Sequence, residues 1–465
     1  MALRKATIVA LLSVALVTEG AVAAAASSPS VARASTPAAT TQPIPDGDGA
    51  IGTHTPGRPD TVAWESAADR GQVETFASAT NIDVHKVDVV IATPSGMSRA
   101  AAARLIRKRD VDTLLSKVSS YWSAQSGGKV RFVRKTALKQ IAVSKANCTS
   151  TSAIVRQVKA AGNQHYGSNW YTSSTRGPER REHLVVLYPF RKGDFPTSSG
   201  YGSTCGGTLG LGSVPAKASR NSPGGWSFNL FGGATGSQRS NRFTHYQYDK
   251  GVATLAHELG HNLGLRHSGL GWCDSKVADG RFRASGCGAI EGLDPLDLMG
   301  WDVAATGVPA LSGALKRRLG VLPTYDQATV KASSGARTVR IAARHRKNSL
   351  RTLVNAVDPE SGETYYVELR RPTTGHTFPY IGGLPWQAYT DYGIGYGVAV
   401  TRLAPGSSTW AYPGEHLIVP MGPVADRRSY MRVGETFTSR TGRLSIRVVK
   451  TSSTEATVRV TFPNP

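Results

Sequence analysis

The 465-residue sequence predicts an α+β domain followed by an all-β, sandwich-like domain, and three patterns support this fold class. Between about residue 85 and residue 187, apolar segments with strand composition alternate with amphipathic helical segments, which is typical of a mixed sheet packed by helices. A further helical pattern covers residues 249–263. After Pro323 the strand patterns continue without a long helical pattern, as expected for a separate all-β unit of about 140 residues.

Local periodicity places the individual elements. Apolar residues recur three and four positions apart in the helical segments, and Asp110 and Asp249 stand where N-caps are expected. Gly127 and Gly128 end the first of these helices. In the first domain we predict strands at 87–92, 129–134 and 184–187 and helices at 111–126, 151–161 and 311–319. In the second domain we predict strands at 365–369, 397–400, 444–448 and 456–462.

Residues 257–267 read His-Glu-Leu-Gly-His-Asn-Leu-Gly-Leu-Arg-His, and this segment carries the chemistry that the sequence predicts. Positions four apart lie on one face of a helix, about 6 Å apart along its axis, so His257 and His261 can point ring nitrogens at one metal ion. Gly264 favours a left-handed turn, after which the chain can double back and deliver His267 as a third ligand. Three protein ligands leave a fourth position for water, which is typical of a catalytic zinc site.

Glu258 is predicted to accept a proton rather than to bind the metal. It sits one residue round the helix from His257, where its carboxylate can reach the water at the open position. The alternative is an amphipathic core helix whose histidines are merely packed. Leu255 and Leu259 recur at helical spacing, so one face of the helix is buried in both interpretations.

The extended pattern resembles the metzincin clan of zinc metalloproteases, and a second segment supports the resemblance. Residues 294–301, Asp-Pro-Leu-Asp-Leu-Met-Gly-Trp, look like the Met-turn of that clan. The resemblance implies that Met299 packs beneath the three histidines. The His-Asn-Leu-Gly core and the Leu-Met-Gly turn look most like secreted gametolysin-like and reprolysin-like members, whereas Ser268 follows the third histidine as in matrixins, so the family within the clan stays open. Trp301 stands where astacin-like and serralysin-like enzymes have a tyrosine ligand, and that ligand is not carried over.

The resemblance also implies an architecture and an activity. The first domain would be metzincin-like, with a mixed twisted sheet, helices, the zinc helix and the Met-turn. Its Gly- and Ser-rich segment 199–240 would hold the edge strand of the sheet, whose free backbone groups bind a substrate peptide as an added strand. The activity would be that of a zinc endopeptidase with one catalytic Zn²⁺ and protein or peptide substrates. A further Ca²⁺ ion stays open.

The first 26 residues have the features of a secretory signal peptide: Arg4 and Lys5, the apolar run 6–17, and Ala21-Val22-Ala23 as a small-residue cleavage pattern. The apolar run is too short for a membrane span, so we expect a secreted, extracellular protein. Residues 27–84 have the composition of a disordered leader or a pro-segment. This segment contains no cysteine, which excludes latency through a pro-segment thiolate on the zinc.

The four cysteines suit an oxidising compartment and permit three disulfide connectivities. Cys273 and Cys287 both fall between His267 and the Met-turn, so a bond between them would staple the loop that forms one wall of the site. Cys148 and Cys205 would then pair with each other. The alternative is four free, buried thiols.

The net charge of +23 indicates affinity for anionic surface polymers, acidic proteins or nucleic acid, but equally a solvated face on an exported protein. No nucleic-acid-binding motif accompanies the basic clusters, so we expect no specific nucleic-acid partner. The oligomeric state stays open.

These observations predict four segments: the signal peptide (1–26), the leader (27–84), a zinc metalloprotease catalytic domain (85–324) and the all-β C-terminal domain (325–465). The predicted function is a secreted zinc endopeptidase. A secreted adhesion or cell-wall-binding protein that uses the zinc fold as a scaffold is the alternative from another class, and hydrolysis of other amides or of glycan-linked substrates is a weaker enzymatic alternative. A binding protein would not need Glu258 or all three ligands, and all of them are present, whereas a zinc-bound water can attack other amides as well.

Overall fold

The computed structural model of the chain describes fifteen segments, which include most of the predicted catalytic domain and much of the C-terminal region. The predicted signal peptide and residues 27–81 of the predicted leader lie outside them. Within the described segments, no helix is both long enough and apolar enough to cross a membrane. The segments are 82–144, 151–166, 181–189, 210–215, 218–231, 245–273, 279, 287–290, 292–294, 296–300, 308–346, 350–371, 395–404, 416–418 and 428–463.

A six-stranded sheet organises the first part of the chain. Its strand order is β2-β1-β4-β6-β5, with β3 paired to the second half of β1. The pairings are parallel except at the edge strand β5, which runs antiparallel to β6. The strands are β1 (Asp83–Pro94), β2 (Val130–Arg134), β3 (Lys139–Val143), β4 (Glu182–Pro189), β5 (Gly210–Gly212) and β6 (Gly224–Phe231).

Helices cover both faces of this sheet, because successive strand residues point to opposite sides. Val89 and Val185 belong to the core that α2 and α4 cover, whereas Val90 and Val186 belong to a second core beneath α3. This mixed α/β arrangement fits the metzincin-like domain that the sequence predicts. The helices are α1 (Arg99–Leu105), α2 (Lys108–Gln125), α3 (Thr151–Tyr166), α4 (His245–Asn262) and α5 (Gly313–Arg318).

Both predicted aspartate caps are wrong. The N-cap of α2 is Arg107, and Asp110 lies in the first turn, where its carboxylate accepts a 2.6 Å hydrogen bond from Arg107 Nε. A carboxylate in the first turn stabilises the helix through the macrodipole, so Asp110 marks the start of the helix without capping it. Asp249 lies inside α4, because that helix already begins at His245.

A seven-stranded sheet follows in the order β8-β7-β14-β13-β12-β11-β9. A four-stranded sheet, β10-β17-β16-β15, packs on it, and both contribute to one apolar core that includes Val354, Val367, Ile446 and Val458. The strands of the larger sheet are β7 (Ser268–Cys273), β8 (Cys287–Ile290), β9 (Gln327–Val330), β11 (Leu353–Val357), β12 (Thr364–Arg370), β13 (Gly397–Leu403) and β14 (His416–Ile418). Those of the smaller sheet are β10 (Arg337–Ala342), β15 (Thr436–Thr438), β16 (Ser445–Thr451) and β17 (Glu455–Thr461).

The seven-stranded sheet spans the predicted domain boundary after residue 324. β7 and β8 precede that boundary and lie between the third histidine and the predicted Met-turn, yet β7 pairs in parallel with β14 from the C-terminal region. The register places Ser268 opposite His416 and Leu270 opposite Ile418. The chain that leaves the histidine motif therefore enters a sheet in which every strand except β7 and β8 comes from residues 327–418.

Candidate metal centre and active site

Helix α4 and the turn that follows it bring the three motif histidines together. His257 and His261 lie one turn apart on α4. The helix ends at Asn262, and Gly264 has a φ of 87°, a left-handed conformation that glycine adopts without strain. Leu265 N then donates to Gly260 O at 3.0 Å, which turns the chain back toward the helix and delivers His267. The structure thus assembles the three predicted ligands as the motif implies.

The ring nitrogens of the three histidines converge on one point. His261 Nε2 lies 3.1 Å from His257 Nε2 and 3.1 Å from His267 Nε2. Tetrahedral ligands about 2.0–2.1 Å from a zinc ion lie roughly 3.3 Å from one another, so these separations fit a zinc site. Among the described residues, this is the one cluster of three or more metal-ligand side chains that could hold an ion.

Hydrogen bonds on the far side of two rings fix which nitrogen faces the centre. His257 Nδ1 donates to Leu298 O at 2.7 Å, and His261 Nδ1 donates to Leu265 O at 2.9 Å. A neutral imidazole has one N–H, so the Nε2 atoms of these rings carry lone pairs and cannot hydrogen-bond to each other. Lone pairs held 3.1 Å apart repel unless a cation lies between them, so the donor set itself favours a metal ion.

Burial keeps His257 and His261 neutral. Burial, and less strongly the nearby His267, lower the pKa of His257 to about 3. Burial also lowers the pKa of His261 well below its usual value, with His267 and His257 as weaker causes. Since a metal binds the neutral imidazole, the two rings do not need to lose a proton at neutral pH before they bind a metal.

Glu258 lies beside the histidines, and its carboxylate packs against the edge strand β5. Its side chain is buried, which raises its pKa well above the usual value, and its Oε2 accepts no hydrogen bond from the described residues. The carboxylate touches β5, where a Cβ on Gly212 would lie 2.9 Å from Oε2 and one on Gly210 would lie closer still to Oε1. The two glycines therefore leave space for the carboxylate next to the metal centre.

Met299 lies beneath α4, between the first two histidines. A Cβ on Gly260 would come within 2.6 Å of Met299 Sδ, and Met299 is fully buried. Met299 O accepts a 2.7 Å hydrogen bond from the backbone N of Ser268, the residue after the third histidine. The residues around Met299 form a tight turn in which Asp297 Oδ1 accepts from Met299 N at 2.8 Å.

The structure describes two of the four cysteines, Cys273 and Cys287. β7 and β8 pair in a register that places Cys273 opposite Cys287. Cys148 and Cys205 lie outside the described residues, as does Trp301. The two disulfide pairings therefore stay predictions.

Sequence reasoning missed Asn262, which follows His261 and ties the zinc helix to the sheet. Its Nδ2 donates to Ser213 O and to Trp226 O, both at 2.9 Å, and its Oδ1 lies 3.1 Å from Nδ1 of the buried His183. Asn262 thus helps to tie the end of β5 to β6, alongside the direct bonds between Ser213 and Trp226. In the sequence it is an amide between His261 and the apolar Leu263, a position that could have drawn attention to it.

Comparison with known proteins agrees with this geometry. Residues 114–268 match the family described as metallo-peptidase family M12B, Reprolysin-like, and the match ends just after the third histidine. A search of curated proteins gives no match.

Solved structures give weaker likenesses, among them structures of OgpA from Akkermansia muciniphila. Wild-type OgpA in two crystal forms has TM-scores of 0.30 and 0.28 at 12% identity, covering 77% and 73% of this chain and 89% and 92% of those chains. Catalytically inactive OgpA in complex with an O-glycopeptide substrate, glycodrosocin, has a TM-score of 0.29 at 11% identity, covering 78% of this chain and 91% of that one. TM-scores this low do not establish a common fold over the whole chain.

The family match covers the segment that carries α4 and the complete histidine motif, and the structure brings the motif's three histidines to within bonding distance of one ion. The chain is therefore a zinc metalloprotease whose residues 114–268 are similar to reprolysin-like metallopeptidases.

Proposed function

We propose that the protein is a secreted endopeptidase that hydrolyses peptide bonds in extracellular proteins. The observation that carries this proposal is the convergence of three histidine Nε2 atoms beside a buried carboxylate with an unpartnered oxygen. His257, His261 and His267 would hold the zinc ion. When bound, zinc supplies the positive charge that makes a water acidic enough to attack a peptide carbonyl near neutral pH.

Glu258 is proposed as the general base. Its Oε2 has no other hydrogen-bond partner among the described residues, so it is free to accept the proton of the attacking water. The burial that raises its pKa also makes the ionised carboxylate a stronger base than an exposed glutamate. Glu258 would then pass this proton to the amine of the leaving peptide fragment.

The edge strand β5 is proposed to position the substrate. Among the described strands, β5 is the last of its sheet, and Gly210 and Gly212 lie against the proposed catalytic carboxylate. A peptide added to the free edge would be held by main-chain hydrogen bonds, which favours an extended substrate of little sequence preference. The scissile carbonyl would then lie within reach of Glu258.

Three further assignments belong to this proposal. Residues 294–300 are proposed to act as the Met-turn, supported by the packing of Met299 against Gly260. Cys273 and Cys287 are proposed to form a disulfide, supported by their opposite positions in β7 and β8. Secretion is supported by the signal-like residues 1–26.

The purified mature protein should contain one zinc ion per chain and should cleave casein only when that ion is present. Metal analysis, followed by caseinolysis before chelation, after chelation and after addition of zinc, measures both. A chelated preparation without zinc that still cleaves casein at the full rate would contradict the proposal.

A further inference from the structure

A buried ion cluster connects the turn that holds Met299 to the C-terminal strands. Arg370 ends β12 and is 1% exposed. Its NH1 lies 2.8 Å from Oδ1 of Asp294, and its Nε lies 2.8 Å from Oε1 of Glu368. Both carboxylates are buried as well. The Arg370 guanidinium thus contacts a residue that lies 76 positions earlier in the sequence.

The cluster includes Asp294 and Asp297, the two acidic residues of the turn at residues 294–300, here called the Met299 turn. Asp297 Oδ2 accepts a 2.7 Å hydrogen bond from Ser312 N, and Arg344 NH1 lies 3.9 Å from the same oxygen. Arg344 NH1 also lies 3.1 Å from Glu368 Oε1. Asp297 Oδ1 in turn accepts from Met299 N, so the charged groups reach the backbone of the turn itself.

The same turn contacts the metal centre at three points. Leu298 O accepts the hydrogen bond that orients the ring of His257, and Met299 O accepts from Ser268 N, beside the third histidine. The side chain of Met299 packs against Gly260, between the first two histidines. A displacement of the turn would therefore tilt the ring of His257 and shift both neighbouring segments.

Stability alone is a weak explanation for this buried arginine. Charges lose their hydration on burial, and apolar replacements of buried ion pairs often stabilise a protein as well or better. The planar guanidinium fork, by contrast, fixes the direction of the carboxylates that it binds. The geometry of the cluster therefore matches a role in orienting the turn.

We propose that Arg370 is a positioning residue for the metal centre, through which the C-terminal strands set the placement of the Met299 turn and the orientation of the His257 ring. The inference rests on the proposed zinc-binding role of the three histidines. Arg370 touches neither the substrate nor the metal. Its effect passes through Asp294 and the backbone carbonyl of Leu298.

A second anchor between the same two parts of the chain supports this inference independently. Asp279, in the segment between β7 and β8, is buried against the C-terminal strands. Its Oδ1 lies 3.0 Å from Arg402 NH2, and its Oδ2 accepts hydrogen bonds from the Tyr365 hydroxyl at 2.5 Å and from Arg440 N at 3.0 Å. Together with the pairing of β7 and β14, this anchor shows that the C-terminal strands hold the segment between His267 and Met299 at several points.

The test compares Arg370→Met with Asp358→Asn in the full-length mature protein. Asp358 is a matched control, because it is also buried in the C-terminal region and binds only residues of that region in the described structure, among them Ser439 and Thr441. Three quantities are measured: zinc affinity by competition with a chelator, the visible spectrum of the cobalt-substituted protein, and kcat and KM on a short peptide. The melting temperature of each variant reports its stability.

Arg370→Met should weaken zinc binding about 10-fold or more, as loss of groups that orient metal ligands usually does. It should also alter the cobalt spectrum and lower kcat, with KM changed less than about twofold because β5 is not displaced. Asp358→Asn should lower the melting temperature and leave zinc affinity and the cobalt spectrum unchanged.

A folded Arg370→Met protein with wild-type zinc affinity and cobalt spectrum would overturn the inference. Equal weakening of zinc binding in Arg370→Met and Asp358→Asn would also overturn it, because it would indicate a general loss of stability.

If Arg370→Met does not fold, Arg370→Lys is measured in its place. Lysine cannot bind both carboxylates as a fork, so zinc affinity should fall at least about threefold, and wild-type affinity would reject the positioning role. A wild-type protein that binds zinc without cleaving any peptide would instead refute the proposed function and leave the affinity comparison readable.

Discussion

At the scale of single residues, the site depends on where neutral and charged side chains are buried. The backbone carbonyls of Leu298 and Leu265 select the imidazole tautomers of His257 and His261, so the metal-binding lone pairs are in place before an ion arrives. Glu258 lacks such a partner on one oxygen, which leaves this oxygen available for proton transfer. The same motif thus holds two kinds of group, imidazoles oriented by hydrogen bonds and a carboxylate oxygen that has no hydrogen-bond partner among the described residues.

Gly210→Ala should reduce proteolysis without loss of zinc. The new Cβ would collide with the Glu258 carboxylate and with Thr254 Cγ2, and the three atoms nearest to it belong to none of the histidines. Because displacement of a catalytic group by about 1 Å can cost up to 10²-fold in rate, we expect kcat/KM to fall at least about tenfold. Leu211→Ala is the control, since Leu211 is the next residue of β5 and is 39% exposed. Peptide cleavage and zinc content are measured for both, and unchanged kcat/KM in Gly210→Ala would contradict the contact between β5 and Glu258.

Acid should destabilise the metal-free protein through His257. The pKa of His257 is about 3 in the folded chain, because of burial, against about 6.5 in the unfolded chain. The unfolded chain therefore takes up the proton first, so the stability that the neutral ring contributes is present above pH 6.5 and is lost as pH falls toward 3. Between pH 7 and pH 5 this loss amounts to about 2 kcal/mol.

Urea unfolding of the metal-free protein at these two pH values measures the effect. His257→Gln should show a pH dependence smaller by about that amount, which separates His257 from the other histidines. An identical pH dependence in the two proteins would show that His257 is not held neutral by burial.

At the scale of elements, the sequence predicts structure formed by residues that are close along the chain. It does not predict which distant strands pair with each other. The histidine motif predicts its own geometry, because helix periodicity and one glycine turn bring His257, His261 and His267 together. The strands and helices of the first sheet lie close to their predicted positions for the same reason. The parallel pairing of β7 with β14 joins strands more than 140 residues apart, and no periodicity in either strand indicates the partner.

The same limit explains why the buried ion cluster was not predicted. Arg370, Glu368 and Asp294 are ordinary charged residues in the sequence, where such side chains are usually solvated. They are identified as a cluster only when the folded chain brings β12 against the Met299 turn. The misplaced caps at Asp110 and Asp249 have another cause, since both helices begin earlier in the chain than these aspartates, and α2 does so behind Arg107, which is not a preferred N-cap residue.

The opposed positions of Cys273 and Cys287 in β7 and β8 give a testable disulfide. We expect this bond in the protein isolated under oxidising conditions, and its loss should cost roughly 2–4 kcal/mol of stability through the freed loop. Peptide mapping without reduction identifies the pairing, and denaturant unfolding of Cys273→Ser with Cys287→Ser measures the cost. A bond from Cys273 to Cys148 or Cys205 would refute the assignment.

At the scale of the whole molecule, the metal centre is built by two parts of the chain that the sequence assigns to different domains. The first part supplies α4 and β5, and the C-terminal strands support the segment between His267 and Met299 through β14, Arg402 and Arg370. The domain boundary after residue 324 stays a prediction. The seven-stranded sheet, however, contains strands from both sides of it. We therefore expect the activity to depend on both parts.

The high positive charge is also a property of the whole molecule, and some of the basic residues that contribute to it are buried. Arg370, Arg402 and Arg344 are buried and paired with carboxylates, so they do not contribute to an exposed basic surface. The excess of 55 basic over 32 acidic residues therefore resides in other side chains, and contact with anionic polymers stays a prediction.

The central claim is that three histidines bind zinc while Glu258 moves the proton, and replacement of one residue of each kind tests it most directly. Glu258→Ala should retain one zinc ion per chain and lose at least about 10²-fold in caseinolytic rate, the usual contribution of a general base. His261→Ala should lose both zinc and activity, because two imidazoles make a poor site. Full caseinolytic activity in zinc-loaded Glu258→Ala would contradict the account.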